Sequence, residues 1–268
     1  MISDQALPSS PSAVRSRFLE GMFEAMGESS ASLGGPGTTL AATENRRGTG
    51  FVAAYQFGEV QHGAGRTVLW CDPAFADRIE SLADPDQPLP DVDLRAWATK
   101  EGFEIVGQSV MKTLGDPYAT VDVPGDAAAV RFDWSEHRHL DLMRALVDQA
   151  DPDDLDEAEI DLDELDDLAV GLLDRHGSIG AYGSARAWGF ERSFGDIGVL
   201  VAAGHRGRGW GTAVVSSLTN TMLAEGMLPL YRCDHVVNIG SDRLSAGLGF
   251  VPVTQLTAVR LGPSAGDD

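Results

Sequence analysis

The sequence predicts an α/β fold, with a smaller α/β segment ahead of a larger C-terminal one. Three observations carry the prediction. Apolar runs with strand character alternate with segments of helical spacing along the chain. A strand near residues 197–203 enters a glycine-rich turn that opens a helix. Two distant stretches, GFEIVGQSVMKTLG at Gly102–Gly115 and GFVPVTQLTAVRLG at Gly249–Gly262, agree at six of fourteen ungapped positions, which suggests a repeated unit of helix, Gly-Phe and strand.

Taken in order, Ala13–Met26 places Val14, Phe18, Met22 and Met26 at helical spacing and opens the chain with a short amphipathic helix. The Gly/Ser/Pro/Thr-rich stretch Gly27–Gly50 reads as loop. Phe51–Phe57 and Thr67–Cys71 come next as strands around a turn at Gly63–Gly65. Helices are expected at Pro73–Leu82 and Leu94–Glu101, and a strand at Phe103–Leu114 closes the first segment, 1–115. Pro117, Pro124 and Gly125, with few large apolar neighbours, mark 116–128 as a linker and 129–268 as the second domain. There, Trp134–Ala150 reads as a helix with Ser135 as its N-cap. Leu168–Leu173, Ser178–Trp188 and Ile197–Ala203 read as strands, Ala213–Glu225 as a helix and Leu228–Asp234 as a strand.

Composition excludes several classes of function. The net charge of -21, with Lys100 and Lys112 the only lysines, argues against nucleic acid and anionic lipid as partners. No run of about 18 apolar residues suggests a membrane span, and Met1–Pro11 does not resemble a secretory signal, so the expected location is the cytoplasm. Cys71 and Cys233 form no CxxC or Cys/His spacing. They read as buried thiols rather than metal ligands or a disulfide framework, and no metal is expected.

The chemistry concentrates in His205-Arg206-Gly207-Arg208-Gly209-Trp210-Gly211-Thr212. A glycine turn between strand and helix offers unpaired N–H groups and the positive helix end to one point, which suits a pyrophosphate. The Gly-Lys-Ser/Thr ending of a Walker loop is absent, as is a G-x-G-x-x-G turn in a parallel-sheet context. The run Arg206-Gly207-Arg208-Gly209-Trp210-Gly211 instead resembles the acetyl-CoA signature of the GNAT superfamily, Gln/Arg-x-x-Gly-x-Gly/Ala. Downstream, Asn238-Ile239-Gly240-Ser241, continuing to Gly249-Phe250, resembles that superfamily's Asn-x-x-Ala/Ser helix ending in Gly-Phe.

The resemblance covers about Ala129–Gly262 and implies a mixed, largely antiparallel sheet flanked by helices; the first 115 residues lack the cofactor motif, and the internal similarity reads as either a degenerate copy there or convergence on a generic turn-and-strand pattern. It implies acetyl-CoA or another short acyl-CoA as cofactor and a primary amine as acceptor, with direct transfer between them. Arg206, Gly207, Arg208, Gly209 and Gly211 would cradle the pyrophosphate, with Trp210 and Thr212 in the same turn. Trp210 covers the cofactor or, more commonly for an indole there, packs against the helix. Val199, Leu200 and Val201 would pair their backbone with the pantetheine arm and supply oxyanion donors. Asn238 and Ser241 would lie near the pantetheine, the competing role for Asn238 being a helix cap. As general base, Asp196, Glu191 and His235 are candidates, with Asp234 beside His235. The tyrosine that many members carry seven positions after the asparagine is Ser245 here, a poor acid, so a non-catalytic acyl-CoA-binding protein is the alternative. Asp151–Asp167 holds eleven acidic residues where the superfamily builds its acceptor pocket. It is either a solvated face or an attractor for a cationic amine.

Overall fold

The structure is a computed structural model that describes residues 11–27, 35–115, 118–188, 193–234 and 237–262. It is α/β, with a mixed and largely antiparallel set of strands flanked by helices. The chain divides into two compact units. One gathers Ser16–Lys112, Cys233–Asn238 and Pro252–Asp268, and the other Met1–Arg15, Thr113–Arg232 and Ile239–Val251.

The first unit orders its strands β1-β3-β2-β10-β4, with β1 Gly37–Ala42, β2 Phe51–Phe57, β3 Arg66–Cys71, β4 Glu104–Leu114 and β10 Phe250–Arg260. β2 is antiparallel to both β3 and β10, and β1 is parallel to β3. Helix α1 (Pro11–Ala25) buries Phe18, Met22 and Phe23, the last packing on Phe57 at 5.1 Å between ring centroids. Helices α2 (Ala76–Ile79) and α3 (Asp91–Glu101) put Ile79, Leu94 and Ala98 into a core with Val52, Leu69 and Val259.

The second unit orders its strands β9-β8-β7-β6-β5, with β5 Ala128–Arg131, β6 Leu168–Leu173, β7 Ile179–Trp188, β8 Phe194–Val201 and β9 Leu228–Cys233. β5 through β8 form an antiparallel meander, and β8 is parallel to β9. All six residues of β6 are buried, as a short continuous apolar run implies. Its helices are α4 (His137–Val147), α5 (Pro152–Glu157), α6 (Trp210–Ala224) and α7 (Ile239–Gly247). Small residues bring α6 onto the sheet. A Cβ on Gly183 would lie 3.4 Å from Val214, and one on Gly195 would lie 2.4 Å from Met222.

Three expectations need correction. The stretch Gly27–Gly50 is not all loop, because Gly37–Ala42 pairs residue for residue with Arg66–Cys71. Its partner lies well along the chain, and Gly, Pro and Thr around it mask the pairing from any local reading. Ser135 caps no helix. α4 starts at His137, and Ser135 Oγ donates to Asp133 instead (2.7 Å). The third strand of the second unit begins at Phe194 rather than Ile197, since its first residues pair with β9. The internal similarity has a structural counterpart. α3 and α7 both run into a positive-φ glycine, Gly102 and Gly249, with Phe103 or Phe250 next and then a strand of 11 residues.

Candidate functional site

The site is built where β8 and β9 part. Their parallel register runs Phe194↔Leu228, Gly195↔Pro229 and Asp196↔Leu230 and stops there, while β8 continues to Val201. From Ile197 to Val201 the strand keeps β7 on one side only. The main-chain groups of Val199 and Val201 therefore point away from β7 to the open side of this fork, whereas those of Leu200 pair with Tyr182 on β7, contrary to the expectation for that residue. Nothing in the sequence marks the point where the two strands separate.

Beyond Val201, a short 3-10 turn at Ala203–His205 leads into the glycine turn. Gly207 (φ +68°) and Gly209 (φ +80°) occupy the left-handed region, which side chains rarely adopt, and Gly209 is the N-cap of α6. No side chain caps this helix and its first turn holds no acidic residue. The amides of Trp210, Gly211 and Thr212 therefore have neither an acceptor one turn back nor a capping oxygen. Gly211 is needed for a different reason. Its φ is ordinary, but a Cβ there would lie 3.1 Å from Leu244 and 3.2 Å from Val201.

Trp210 points inward. It is buried, its ring packs on His205 at 4.2 Å between centroids, and a Cβ on Gly180 would come within 2.5 Å of it. The indole packs the helix against β7 and does not cover the turn. The two arginines differ. Arg208 is exposed and takes no hydrogen-bond or ion-pair partner among the described residues. Arg206 folds back, its Nε donating to Val201 O (3.1 Å) and its Nη2 to Asp154 Oδ2 (2.5 Å) on α5.

Of the base candidates, Asp196 sits at the last paired position before the fork. Burial pushes its carboxyl above the usual range, against the pull of Arg232. Arg232 donates to Asp196 from Nε (3.0 Å) and Nη2 (2.9 Å), both on Oδ2, and also from Nη2 to Glu159 Oε1 (2.5 Å). The two carboxylates hold the Arg232 guanidinium above its ordinary pKa. Glu191 and His235 lie outside the described residues. Asp234 Oδ1 accepts from the Val237 amide at 3.0 Å.

On α7, Ser245 is fully buried and donates to Asp242 O (2.9 Å), so its hydroxyl is bound within its own helix. Ser241 Oγ lies 2.8 Å from Tyr231 Oη, joining α7 to β9. Asn238 stands one residue before α7, and its amide donates to Asp234 O (2.9 Å).

The acidic run is partly ordered by arginines that reading the sequence did not connect to it. Asp154 is held by Arg206, Glu159 by Arg232, and Glu164 and Asp166 by Arg186. Asp166 is buried and accepts from Tyr182 Oη (3.0 Å), and its carboxyl is raised by burial. The segment lies directly on β8, since a Cβ on Gly198 would meet Ala158 O at 2.5 Å. Arg232 was the most legible of the missed residues, a lone charge in the apolar strand Leu-Pro-Leu-Tyr-Arg-Cys.

No protein-family model matches the chain, and no curated protein matches it. Solved structures do resemble it. A GCN5-related N-acetyltransferase from Kribbella flavida is 18% identical with a TM-score of 0.47, over 65% of this chain and 66% of that one. A second GCN5-related N-acetyltransferase, from Sphaerobacter thermophilus, is 15% identical with a TM-score of 0.45, over 65% of this chain and 58% of that one. An acetyltransferase from the GNAT family of Colwellia psychrerythraea is 14% identical with a TM-score of 0.47, over 72% of this chain and 76% of that one.

Proposed function

We propose that this protein is an N-acetyltransferase of the GNAT type, transferring an acetyl group from acetyl-CoA to a primary amine, with the chemistry in 129–268. The unit built mainly from Ser16–Lys112 is of related design. One observation carries the reading: an uncapped helix N-terminus with two glycines at positive φ stands at the end of a strand that has just parted from its parallel neighbour. Such a terminus favours an anion through its free amides and its dipole. The open side of β8, through the main chain of Val199 and the amide of Val201, supplies backbone groups for an extended amide-bearing arm, Val201 O being taken by Arg206.

Each part of the site takes one task. The amides of Trp210, Gly211 and Thr212, with Arg208, hold the pyrophosphate. The fork beyond Asp196 receives the pantetheine arm and its thioester. The acceptor nitrogen attacks the thioester carbonyl carbon, the C–S bond breaks, and CoA leaves as the thiolate. Amide groups of the open β8 edge stabilise the oxyanion formed on the way. Asp196 takes the amine proton on Oδ1, since both Arg232 contacts fall on Oδ2. A carboxyl raised by burial is better matched to that task than an exposed one. Ser245 is unsuited to return a proton to the thiolate, so water does so. The acidic segment Asp151–Asp167 favours a cationic acceptor.

Incubation with acetyl-CoA and a panel of polyamines, aminoglycosides, amino acids and basic peptides, read by free thiol release, tests the activity. Release with at least one amine is expected, and Asp196→Asn should lower kcat while leaving acetyl-CoA affinity unchanged. Tight acetyl-CoA binding with no release on any amine would favour a non-catalytic binder, the reading to which the buried Ser245 hydroxyl points. Calorimetric titration of Arg208→Ala should show affinity about tenfold or more below the parent, as expected for a charge-assisted phosphate contact.

A further inference from the structure

We infer that Asp154 is an intramolecular competitor of acyl-CoA for Arg206, so that the acidic segment sets the affinity of the glycine turn. The inference rests on the proposed function and concerns regulation of that same site. Arg206 is the first residue of the turn, yet its guanidinium is already engaged. Nε is used by Val201 O and Nη2 by Asp154 Oδ2. A carboxylate thus occupies the position that a phosphate oxygen would take, with the same charge-assisted geometry.

Asp154 is not simply one of many nearby acids. Asp151, at the N-cap of α5, accepts from the Asp153 amide (3.0 Å), and Asp153 itself is exposed. Asp154, by contrast, reaches the turn. Further along the segment, Glu159 is anchored independently on Arg232, and Asp166 on Arg186 and Tyr182. Release of Asp154 therefore frees α5 without unfastening Glu159 or Asp166. A pyrophosphate at the α6 terminus attracts Arg206 and repels the Asp154 carboxylate, and both effects oppose the pair. The pair is half-exposed, with side-chain accessibilities of 51% and 33% for Arg206 and Asp154, so it can exchange for a stronger anion. By linkage, whatever acyl-CoA does to the pair, the pair does to acyl-CoA affinity in equal measure.

The test is calorimetric titration of acetyl-CoA into the full chain and into Asp154→Asn, Asp153→Asn, Arg206→Gln and Asp154→Asn/Arg206→Gln, each checked for folding by circular dichroism. Asp154→Asn should bind about two- to fivefold more tightly than the parent, the range expected from losing one half-exposed ion pair. Asp153→Asn should change affinity less, and Asp154→Asn should have no effect in the Arg206→Gln background. Equal or weaker binding by Asp154→Asn overturns the inference. So does an equal gain in the Arg206→Gln background, because the effect would then be one of general charge. If neither parent nor Asp154→Asn binds acetyl-CoA, the functional reading fails and the inference falls with it. Binding by the parent with no gain in Asp154→Asn removes the inference alone.

Discussion

The N-termini of α3 and α6 are the same kind of object used in opposite ways. α3 opens with Asp91 and Asp93 in its first turn, so the positive end of the helix meets its own carboxylates. Asp91 then serves as a junction, accepting from Arg95 Nε (2.6 Å), Gln108 Nε2 (2.9 Å) and Thr257 Oγ1 (2.7 Å). These partners tie the helix to β4 and β10 within the first unit. Neither helix has a capping side chain, but α6 opens on a glycine, with no acid in its first turn and arginines before it. One terminus is closed by the protein and contributes to stability. The other has no carboxylate of its own in the first turn.

The largest effect is expected where the closed terminus is opened. Asp91→Ala removes the acceptor for three donors and leaves Gln108 and Thr257 without it. The loss should be about 1–3 kcal/mol in urea denaturation, the usual cost of stranding a partly buried charged network. On the proposed function, acetyl-CoA affinity should not change.

Closing the open terminus should do the reverse. Thr212 holds in α6 the third helical position that Asp93 holds in α3. Thr212→Asp should stabilise the fold by about 0.3–1 kcal/mol through the helix dipole while weakening acetyl-CoA binding about tenfold or more, roughly the worth of one charged phosphate contact. The opposed signs matter, because a purely structural turn would show only the first. Thermal denaturation and calorimetry on the same sample would read both.

The smallest effect concerns a carboxylate unlike Asp91. Asp166 in the second unit is buried, and desolvation raises its pKa above the unfolded value near 3.9. The folded state then holds the proton more tightly than the unfolded one. Stability falls as pH rises from the unfolded value to the folded value, and the cost is fully present above it. Asp166→Asn keeps an oxygen for Tyr182 Oη and loses the titration. It should be slightly more stable than the parent at neutral pH, with the gap closing as the parent carboxyl becomes protonated. Denaturation curves at neutral and acid pH would measure the difference, and a gap independent of pH would refute the assignment.

How much of this was legible varies with the distance over which each feature is specified. The helix–Gly-Phe–strand units ending at Leu114 and Arg260 could be read directly, since Gly102 and Gly249 meet a local backbone demand. The glycine turn before α6 was legible for the same reason at Gly207 and Gly209. Gly211 is different. The pattern marked it, but its requirement comes from Leu244, a residue of another helix. Strand β1 was missed because its β character exists through distant partners, Arg66–Cys71 along its length and Asp84 at Thr38. Arg232 could be noticed as a lone charge, yet nothing local indicates that it would hold Asp196 and Glu159 together.

By itself, then, the sequence determined the α/β class, the glycine turn that opens a helix, and the acidic balance of the chain. Each of these depends on neighbours within a few residues or on composition, where sterics, capping and Coulomb's law act without reference to the fold. Only the tertiary structure decided that β8 leaves β9 at Asp196, that Trp210 is buried under Gly180, and that Arg206 is paired with Asp154. Those outcomes depend on which of many distant partners packing brings within reach. A chain with 41 carboxylates and 20 basic side chains offers each arginine many equivalent partners, among which only folding selects.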